Sequence, residues 1–457
     1  MKFDCLVAEI GSTTTVINAF DDIHTDNPKF VSQGQAPTSV LDGDVNIGLN
    51  NALDNMKKKL NVDVVEYDKL LATSSAAGGL KMTVHGLVYD MTVKAAKEAA
   101  LGAGANLHMI TSGRLRRTDI KKIYEIEPNI ILIAGGVNYG ERDTALYNAE
   151  VIANLDIEVP VIYAGNIENQ DEIELIFEEA KKSKFLYTVE NVYPVIDTIN
   201  VEPARKVIQD VFEEHIVHAP GMEKIKELVN GKIIPTPGAV MEASKMLKDD
   251  IGDVVTIDVG GATTDIHSVT EGSEEVNIIL LSPEPIAKRT VEGDLGVFVN
   301  VNNIINLIGE EKLIKSLDIT KHEFDDIINN YKAIPITDFE KSFVERLVLE
   351  ATIISSHRHA GGFRDLFANG GKKTLAEGKD LTSIKYIIGT GGALTRLPNR
   401  IDILNEIAKS NKGDKLLPNT DAKILIDNDY IMASLGVLSK EYKKAALILL
   451  KKSLKID

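Results

Sequence analysis

Apolar residues along this chain form short continuous runs, and amphipathic segments lie between them. The pattern predicts strands at 107–111, 129–134 and 159–164 and helices at 45–60, 119–125, 144–153 and 170–182. Continuous apolar strands separated by helices are typical of a parallel sheet that is covered on both faces. Gly135-Gly136 and Gly165-Asn166 follow two of these strands, at the edge where ligands of such sheets bind. They are candidate edges of a site, although glycine after a strand is also ordinary turn geometry.

Two further stretches each combine a pair of short apolar strands with a turn that is rich in glycine and hydroxyl groups. In the first, the strands Cys5–Ala8 and Val16–Phe20 flank Glu9–Thr15 (EIGSTTT). In the second, the strand Val254–Ile257 is followed by Asp258–Asp265 (DVGGATTD) and a returning strand. Both turns follow one template: an acid, an apolar residue, glycine, a small residue and then hydroxyls. The repetition predicts a duplicated domain with a nucleotide clamped between the copies.

These turns contain the residue types that bind a nucleotide phosphate. Glycines let backbone N–H groups approach an anion without a Cβ in the way, and threonine hydroxyls add hydrogen bonds. Carboxylates repel phosphate, but they hold Mg²⁺ that bridges to it, usually through water. We predict phosphate contacts from Gly11, Ser12, Thr13, Thr14, Gly260, Gly261, Ala262 and Thr263. We predict Mg²⁺ ligands at Glu9 and Asp258, and catalytic roles for Asp258, Asp265 and Glu9.

A third stretch, Tyr386–Leu394 (YIIGTGGAL), is a buried strand that ends in a glycine-rich turn. Without Cβ atoms, such a backbone can lie flat against a planar ring or a ribose. We predict nucleoside contacts from Gly389, Gly391, Gly392 and Ala393. A similar pattern occurs at Ile131–Gly136, which we interpret as its duplicate in the first half of the chain.

The clearest break in the chain is Pro235-Thr236-Pro237-Gly238, because two prolines and a glycine stop one element and begin the next. It predicts domains at 1–237 and 238–457. Near the end, a helix at 430–438 carries small residues on one face, which allow close helix packing at an interdomain hinge. A basic amphipathic helix at 442–454 follows, and we expect it to cap the fold or to pack back on the first domain.

Three segments leave a functional and a structural interpretation open. Ser74–Gly79 (SSAAGG) is either a loop that lets a substrate approach closely or a tight connection. Lys288–Gly296 is loop-like, and it either contributes charge to a cleft or forms a surface turn. His215 and His218 have a spacing compatible with a metal site, but no third ligand accompanies them.

Composition narrows the classes of function. The formal net charge of −17 argues against tight binding to the phosphate backbone of nucleic acid or to an anionic membrane. The absence of tryptophan and the few aromatic residues argue against a stacking surface for single-stranded nucleic acid. The single cysteine, Cys5, is predicted to be buried and excludes a disulfide framework or an iron–sulfur cage. No signal peptide is evident, and no apolar run reaches the roughly 18 residues that span a bilayer. We therefore expect a soluble, cytoplasmic protein.

The motifs resemble those of the actin, Hsp70 and sugar-kinase superfamily. Glu9–Thr15 and Asp258–Asp265 are similar to its two phosphate motifs, Gly389–Ala393 to its adenosine motif and Ala433–Gly436 to its second connecting helix. Nearly the whole chain resembles the glutamate-mutase-associated MutL family, in AEIGSTTT, TSSAAGGLKMTVHGLV, ILIAGGVNYG, IDVGGATTDIHSV, KRTVEGDLG and GTGGALTR. This family is unrelated to the mismatch-repair MutL. Glu9 stands where the superfamily pattern has Asp, which leaves the geometry of Mg²⁺ at the first hairpin open.

The resemblance implies an α/β fold of two actin-like, ribonuclease-H-like domains that close on ATP and Mg²⁺. It also implies a chaperone-like ATPase that reactivates an adenosylcobalamin-dependent mutase or aminomutase by promoting exchange of damaged cofactor. Two alternatives stay open: a small-molecule kinase, with Glu292 or Asp294 as its base, and an actin-like structural ATPase. A radical-enzyme activase of this superfamily needs bridging cysteines, and one cysteine does not supply them.

Overall fold

A computed structural model describes residues 1–75, 80–215, 221–368 and 371–456. The first half begins with β1 (Lys2–Ile10), β2 (Thr14–Asp21), β3 (Lys29–Pro37), α1 (Val45–Leu60) and β4 (Glu66–Ser74). A second α/β unit follows, with β5 (Lys81–Gly86), α2 (Lys94–Ala103), β6 (Asn106–Ser112), α3 (Arg117–Ile126), β7 (Ile130–Ile133), α4 (Asp143–Ala153), β8 (Val161–Tyr163), α5 (Gln170–Glu179), β9 (Leu186–Thr188), α6 (Glu202–His215) and α7 (Ile225–Leu228). The chain then returns through β10 (Ile233–Pro235).

The second half is built from a similar hairpin with different additions. It contains α8 (Thr236–Ile251), β11 (Val254–Val259), β12 (Thr264–Val269), α9 (Glu274–Asn277), β13 (Ala287–Glu292), α10 (Val301–Ile308), α11 (Glu310–Leu317), α12 (Lys321–Asn329) and α13 (Asp338–His359). It ends with β14 (Gly362–Ala368), β15 (Gly371–Glu377), β16 (Tyr386–Thr390), α14 (Arg400–Lys409), β17 (Lys423–Ile426) and α15 (Met432–Leu454), which is kinked at Tyr442.

Two five-stranded sheets repeat one topology. The first has the order β3-β2-β1-β4-β10 and the second the order β13-β12-β11-β16-β17. In each sheet the first three strands are antiparallel, and the last two run parallel to the first strand of the hairpin. The two halves are therefore copies of one α/β domain, and the predicted duplication is present in the strand order as well as in the motifs.

The predicted parallel sheet forms the second unit of the first half. Its order is β6-β5-β7-β8-β9, and all its neighbouring strands are parallel. Alternate residues of β7 enter two different hydrophobic cores: Ile130 and Leu132 enter one, and Ile131 and Ile133 the other. Both faces of this sheet are thus covered, as a continuous apolar strand requires.

A central core lies between the two repeated sheets. It joins Cys5 and Val7 of β1 and Val254 of β11 to apolar residues of α8 and α15, and Cys5 is buried as predicted. α15 packs closely on α8, because a Cβ on Gly436 would lie 1.9 Å from the carbonyl oxygen of Ala239. Small residues in α15 therefore bring the two helices together. Among the described helices, none combines the length and apolarity that a membrane span requires.

The structure corrects two sequence interpretations. Ile131–Gly136 is not the duplicate of Tyr386–Leu394, because β7 belongs to the parallel sheet whereas β4 occupies the position equivalent to β16. Lys288–Gly296 is not a loop throughout, because β13 extends to Glu292 and buries Lys288 and Arg289. In the segment Ser74–Gly79, residues 76–79 lie outside the described residues.

Candidate nucleotide site

The turns of the two hairpins face each other. Each turn is closed by the same hydrogen bond, from the Gly11 amide to the Thr14 carbonyl and from the Gly260 amide to the Thr263 carbonyl, both at 2.9 Å. A Cβ on Gly261 would lie 3.5 Å from the Thr13 side chain. Both turns line one cavity of about 320 Å³. The duplicated hairpins thus form two walls of one cleft.

The cleft presents hydrogen-bond donors. Val297, Phe298 and Val299 donate to the carbonyls of Gly260 and Gly261, and Asn300 Nδ2 donates to the Ala262 carbonyl. These bonds remove acceptors from the second turn. By contrast, no acceptor in the described part of the chain takes the backbone N–H groups of Ser12, Thr13, Gly261 and Ala262. Successive free amides in a concave turn form a site for an anion.

The second hairpin places two carboxylates opposite each other. Asp258 and Asp265 are cross-strand partners in the antiparallel pair of β11 and β12. Like charges at such positions repel. Arg289 offsets the repulsion by donating to Asp265 Oδ1 from Nε at 2.8 Å and from Nη2 at 2.5 Å, and the Thr263 hydroxyl donates to Oδ2. Burial, with the negative charges of Asp265 and Glu9, raises the pKa of Asp258 to about 8.

Arg289 also connects this hairpin to the first half of the chain. Its Nη1 donates to the carbonyls of Ala105 at 2.9 Å and Leu101 at 3.2 Å, at the end of α2. A cation at this end is favourable, because the last carbonyls of a helix carry partial negative charge. The side chain that orients Asp265 is therefore held by α2 as well.

Glu9 occupies the equivalent position in the first hairpin but has different surroundings. Its Oε1 accepts hydrogen bonds from the Ser434 hydroxyl at 2.5 Å and the Ser434 amide at 3.0 Å, in the first turn of α15, and from Asn18. Burial raises its pKa to about 7. Glu9 thus ties the first hairpin to α15 as well as lining the cleft.

The predicted nucleoside residues fall into two groups. Gly392 and Ala393 line the cavity, close to the ring of Tyr430. Gly389 and Gly391 are not among its lining residues. A Cβ on Gly389 would meet core side chains, and one on Gly391, where φ is +91°, would lie 2.5 Å from Asp258 Oδ1. These two glycines pack β16 and its turn against the core and the second hairpin.

Nearly all of the predicted site residues come together. The cavity is lined by Glu9, Gly11, Ser12, Thr13, Thr14, Asp258, Gly260, Gly261, Ala262, Thr263, Asp265, Gly392 and Ala393. Their proximity does not assign their roles, which stay predictions. The sequence left open that Lys288–Gly296 contributes charge to a cleft, and Arg289 of that segment lines the cavity. Sequence reasoning did not assign Arg396 or Tyr430 to the site, although both line the cavity, with the Arg396 guanidinium 5.7 Å from the Tyr430 ring centre. The repeated topology was the available signal for Arg289, because a third strand must follow the second hairpin.

The two acids that the kinase alternative requires have another partner. Arg358 Nη1 lies 2.7 Å from Glu292 Oε2 and 2.8 Å from Asp294 Oδ1. Neither acid is among the residues that line the cavity. This arrangement engages both in an ion-pair cluster outside the cleft.

The carboxylates of the cleft are compatible with Mg²⁺. Within the described residues, no group of three or more His, Cys, Asp or Glu side chains is arranged to hold a metal. His218 and the side chain of His215, the two histidines whose spacing is compatible with a metal site, lie outside that described set. Mg²⁺ needs fewer protein ligands, since it keeps several waters and binds one or two carboxylates plus substrate phosphates. The Asp258 carboxylate suits this role, because no described residue donates a hydrogen bond to it. In Glu9, Oε1 already accepts hydrogen bonds, so only Oε2, to which no described residue donates, is available for a cation.

Fold and site together define a two-domain, actin-like α/β protein, with a cleft between two glycine-rich hairpins. A family model described as MutL protein matches residues 5–454. Protein MutL from Clostridium tetanomorphum is 35% identical over 461 residues, covering 98% of each chain. The chain therefore belongs to the MutL protein family, and the resemblance drawn from its motifs is confirmed.

Two solved structures to which the chain is similar are more distant. A diol dehydratase-reactivating factor in nucleotide-free form is 10% identical with a TM-score of 0.38, and the match covers 97% of this chain and 100% of that chain. A nucleotide-free acetone carboxylase is 10% identical with a TM-score of 0.41, covering 95% of this chain and 70% of that chain. The strand order itself carries the fold assignment.

Proposed function

We propose that the protein binds Mg-ATP between its two hairpins and hydrolyses it. We further propose that this cycle reactivates an adenosylcobalamin-dependent mutase or aminomutase by promoting exchange of damaged cofactor. The observation that carries the proposal is the pair of facing turns beside the Asp258 carboxylate, with amide donors that have no acceptor within the described residues. Such a cleft complements a polyphosphate on two sides, and the acid provides for the cation that accompanies it.

Each part of the cleft has a separate role in this proposal. Ser12, Thr13, Gly261 and Ala262 donate backbone hydrogen bonds to the phosphate oxygens. Asp258, with Glu9 through Oε2, would hold Mg²⁺, which when bound neutralises charge on the phosphates. Asp265, held by Arg289, orients the attacking water with Asp258. Positioning and preorganised charge supply most of the rate enhancement in phosphoryl transfer.

The nucleoside occupies the part of the cleft next to Gly392, Ala393 and Tyr430. These residues line the same cavity as the turns, so one molecule can reach both regions. Gly389 and Gly391 support this wall from behind, since both pack against neighbouring structure. The contact of Gly391 with Asp258 joins the nucleoside wall directly to the catalytic hairpin.

Coupling to a partner needs a change that depends on the nucleotide. A nucleotide shifts the angle between domains only if it binds one angle better than another, since equal affinity shifts nothing. The Glu9–Ser434 bonds and the Arg289 bonds to α2 are suitable transmitters, because each joins a hairpin in the cleft to a distant helix. ATP and mutase must then affect each other's binding reciprocally. The choice of a mutase as partner comes from the family resemblance.

The kinase alternative is less favoured, because Arg358 engages both acids that were candidates for its base. The filament alternative stays open. Phosphate release without an added acceptor separates the ATPase from the kinase, and ATP-dependent sedimentation tests for a filament.

The test is reactivation of a mutase that damaged cofactor has inactivated. Purified protein is supplied with free adenosylcobalamin and with ATP, with a non-hydrolysable analogue, or with no nucleotide. We expect recovery of mutase activity with ATP only, and Asp258→Asn should fail while wild type succeeds. Equal recovery in all three conditions would contradict the ATP-driven proposal. A phosphorylated small-molecule product, seen by mass spectrometry, would favour the kinase.

A further inference from the structure

The parallel sheet of the first half carries exposed apolar side chains at one edge. We use the name apolar loop patch for Tyr139, Ile167, Val195 and Ile196, which are 78%, 47%, 60% and 63% exposed. They lie in the three loops that follow β7, β8 and β9. These strands are parallel, so the loops share the carboxyl edge of the sheet. None of the four residues lines the nucleotide cavity.

Hydrogen bonds between the loops bring the patch together. The Asn138 amide donates to the Pro194 carbonyl at 2.9 Å, and Asn138 Oδ1 accepts from the Ile167 amide at 3.2 Å. The Tyr139 amide donates to Asn166 Oδ1 at 3.0 Å. Tyr139 and Ile167 are thus bonded directly to another loop, and Val195 follows Pro194, which is bonded to another loop as well. The three loops that carry the four side chains are therefore joined at one edge of the sheet, in contrast to the isolated exposed apolar residues that any protein carries.

The patch is held rigidly before any partner arrives. Buried Asn191 donates to the Gly136 carbonyl and to Asn138 Oδ1, both at 3.0 Å, and buried Asn166 braces a second loop. Tyr139 has a φ of +64°, which is rare for a bulky residue and persists only where the surroundings enforce it. A backbone that is already held in place loses little entropy on binding, which favours Tyr139 as an anchor at an interface.

The rim of the patch is strongly acidic. Exposed Asp143 and Asp171 lie at the starts of α4 and α5, and the same three loops carry exposed Glu141, Glu168, Glu190 and Asp197. Their one cation is Arg142, which already donates to Asn169 Oδ1 and the Glu168 carbonyl. An apolar centre with a charged rim is the usual anatomy of a protein interface. The sign of the rim defines the complementary partner as basic.

We infer that the apolar loop patch docks a partner protein whose own face is apolar at its centre and rich in lysine and arginine at its rim. A second copy of this chain would set acidic rim against acidic rim, and the acidic rim would likewise repel nucleic acid or an anionic membrane. On the proposed function, which this step adopts, the partner is the mutase. The cleft would then bind and hydrolyse ATP, and the loops of the parallel sheet would bind the mutase.

The test measures the dissociation constant for the cognate mutase by titration calorimetry, with and without ATP. Tyr139→Asp/Ile196→Asp puts two charges into the patch. The matched control is Ile278→Asp, which changes a residue that is also 78% exposed but lies on the second half. We expect the patch variant to bind at least about tenfold more weakly, and the control to bind like wild type. Partner-free ATP turnover should be equal in all three, and wild-type binding should weaken as salt rises.

Each contrary result has its own meaning. If the patch variant binds the mutase as tightly as wild type, the docking assignment is wrong, while the proposed function stands. If wild type binds no mutase in any nucleotide state, both are overturned. If wild type sediments as a dimer and the patch variant as a monomer, a second copy occupies the patch and the inference is wrong.

Discussion

The two hairpins share one backbone arrangement but differ in the charged side chains that surround their acids. In the first, Glu9 lies opposite Val16, and the third strand contributes Gln33, which donates to Asn18 and to the carbonyls of residues 429 and 430. In the second, Asp258 lies opposite Asp265, and the residue equivalent to Gln33 in the strand register is Arg289. The first copy thus has the neutral amide of Gln33 at the position where the second copy has the buried guanidinium of Arg289.

This difference separates two tasks that a duplicated site can share. The second hairpin concentrates negative charge at the cleft and needs a buried cation to tolerate it. The first hairpin has one acid, whose Oε1 is occupied by the start of α15. We interpret the second hairpin as the centre of catalysis and the first as a phosphate wall that also transmits movement to α15. The following predictions test that division.

The largest expected effect comes from Arg289→Met. It leaves Asp265 as a buried carboxylate without its cation and removes the Arg289 donor from the carbonyls of Leu101 and Ala105. Breaking a buried ion pair from one side typically costs about 3–5 kcal/mol. We expect a loss of that size in the free energy of unfolding, measured by chemical denaturation.

The matched variant in the first hairpin is Gln33→Met, which removes the hydrogen bonds of an uncharged, half-buried side chain. These are worth only about 0.5–1.5 kcal/mol each. If the two variants are equally stable, Arg289 does not balance the acid pair. Adding Asp265→Leu to Arg289→Met should restore part of the loss, since no unpaired charge then remains.

The next effect is on turnover. Asp258→Asn should retain much of the ATP affinity but lower kcat by about 10²–10³-fold, the usual loss for one preorganised electrostatic group. Steady-state phosphate release measures it. Unchanged release would remove Asp258 from the mechanism.

Glu9→Gln provides the comparison at the equivalent position. Glutamine keeps an oxygen that accepts the bonds from Ser434, so the connection to α15 survives. We expect kcat to fall by about tenfold or less, in line with the modest net value of a hydrogen bond. If Glu9→Gln loses as much turnover as Asp258→Asn, the two hairpins share catalysis, and the division proposed above is wrong.

The sequence alone predicted the elements that depend on residues close together in the chain. α1 has the predicted bounds, 45–60, and both hairpins lie where the Gly and Thr pattern indicated. Buried Cys5 and the close approach of Gly436 to α8 also followed from composition along one face. In these cases a local property of the sequence, such as a missing Cβ or a continuous apolar run, is enough to determine the local structure.

The rest depends on partners far along the chain. β13 was misread because Lys288 and Arg289 are charged, and their burial is compensated by the Thr270 carbonyl and by Asp265 and α2. Likewise, Ile131–Gly136 resembles Tyr386–Leu394 because both are buried strands that end in glycine. Only the pairing of strands distinguishes a repeated domain from an inserted sheet.

The central claim is that one nucleotide is clamped between the two turns. Its most direct test is ATP binding by Gly260→Val, measured by calorimetry with Mg²⁺ present. A Cβ at Gly260 would lie 3.1 Å from the Thr263 carbonyl, so the branched side chain should distort the turn. The control is Gly293→Val, where a Cβ would meet no atom within 4 Å. We predict that Gly260→Val abolishes ATP binding and that Gly293→Val binds ATP like wild type. If Gly260→Val binds ATP with wild-type affinity, the nucleotide is not clamped between the two turns.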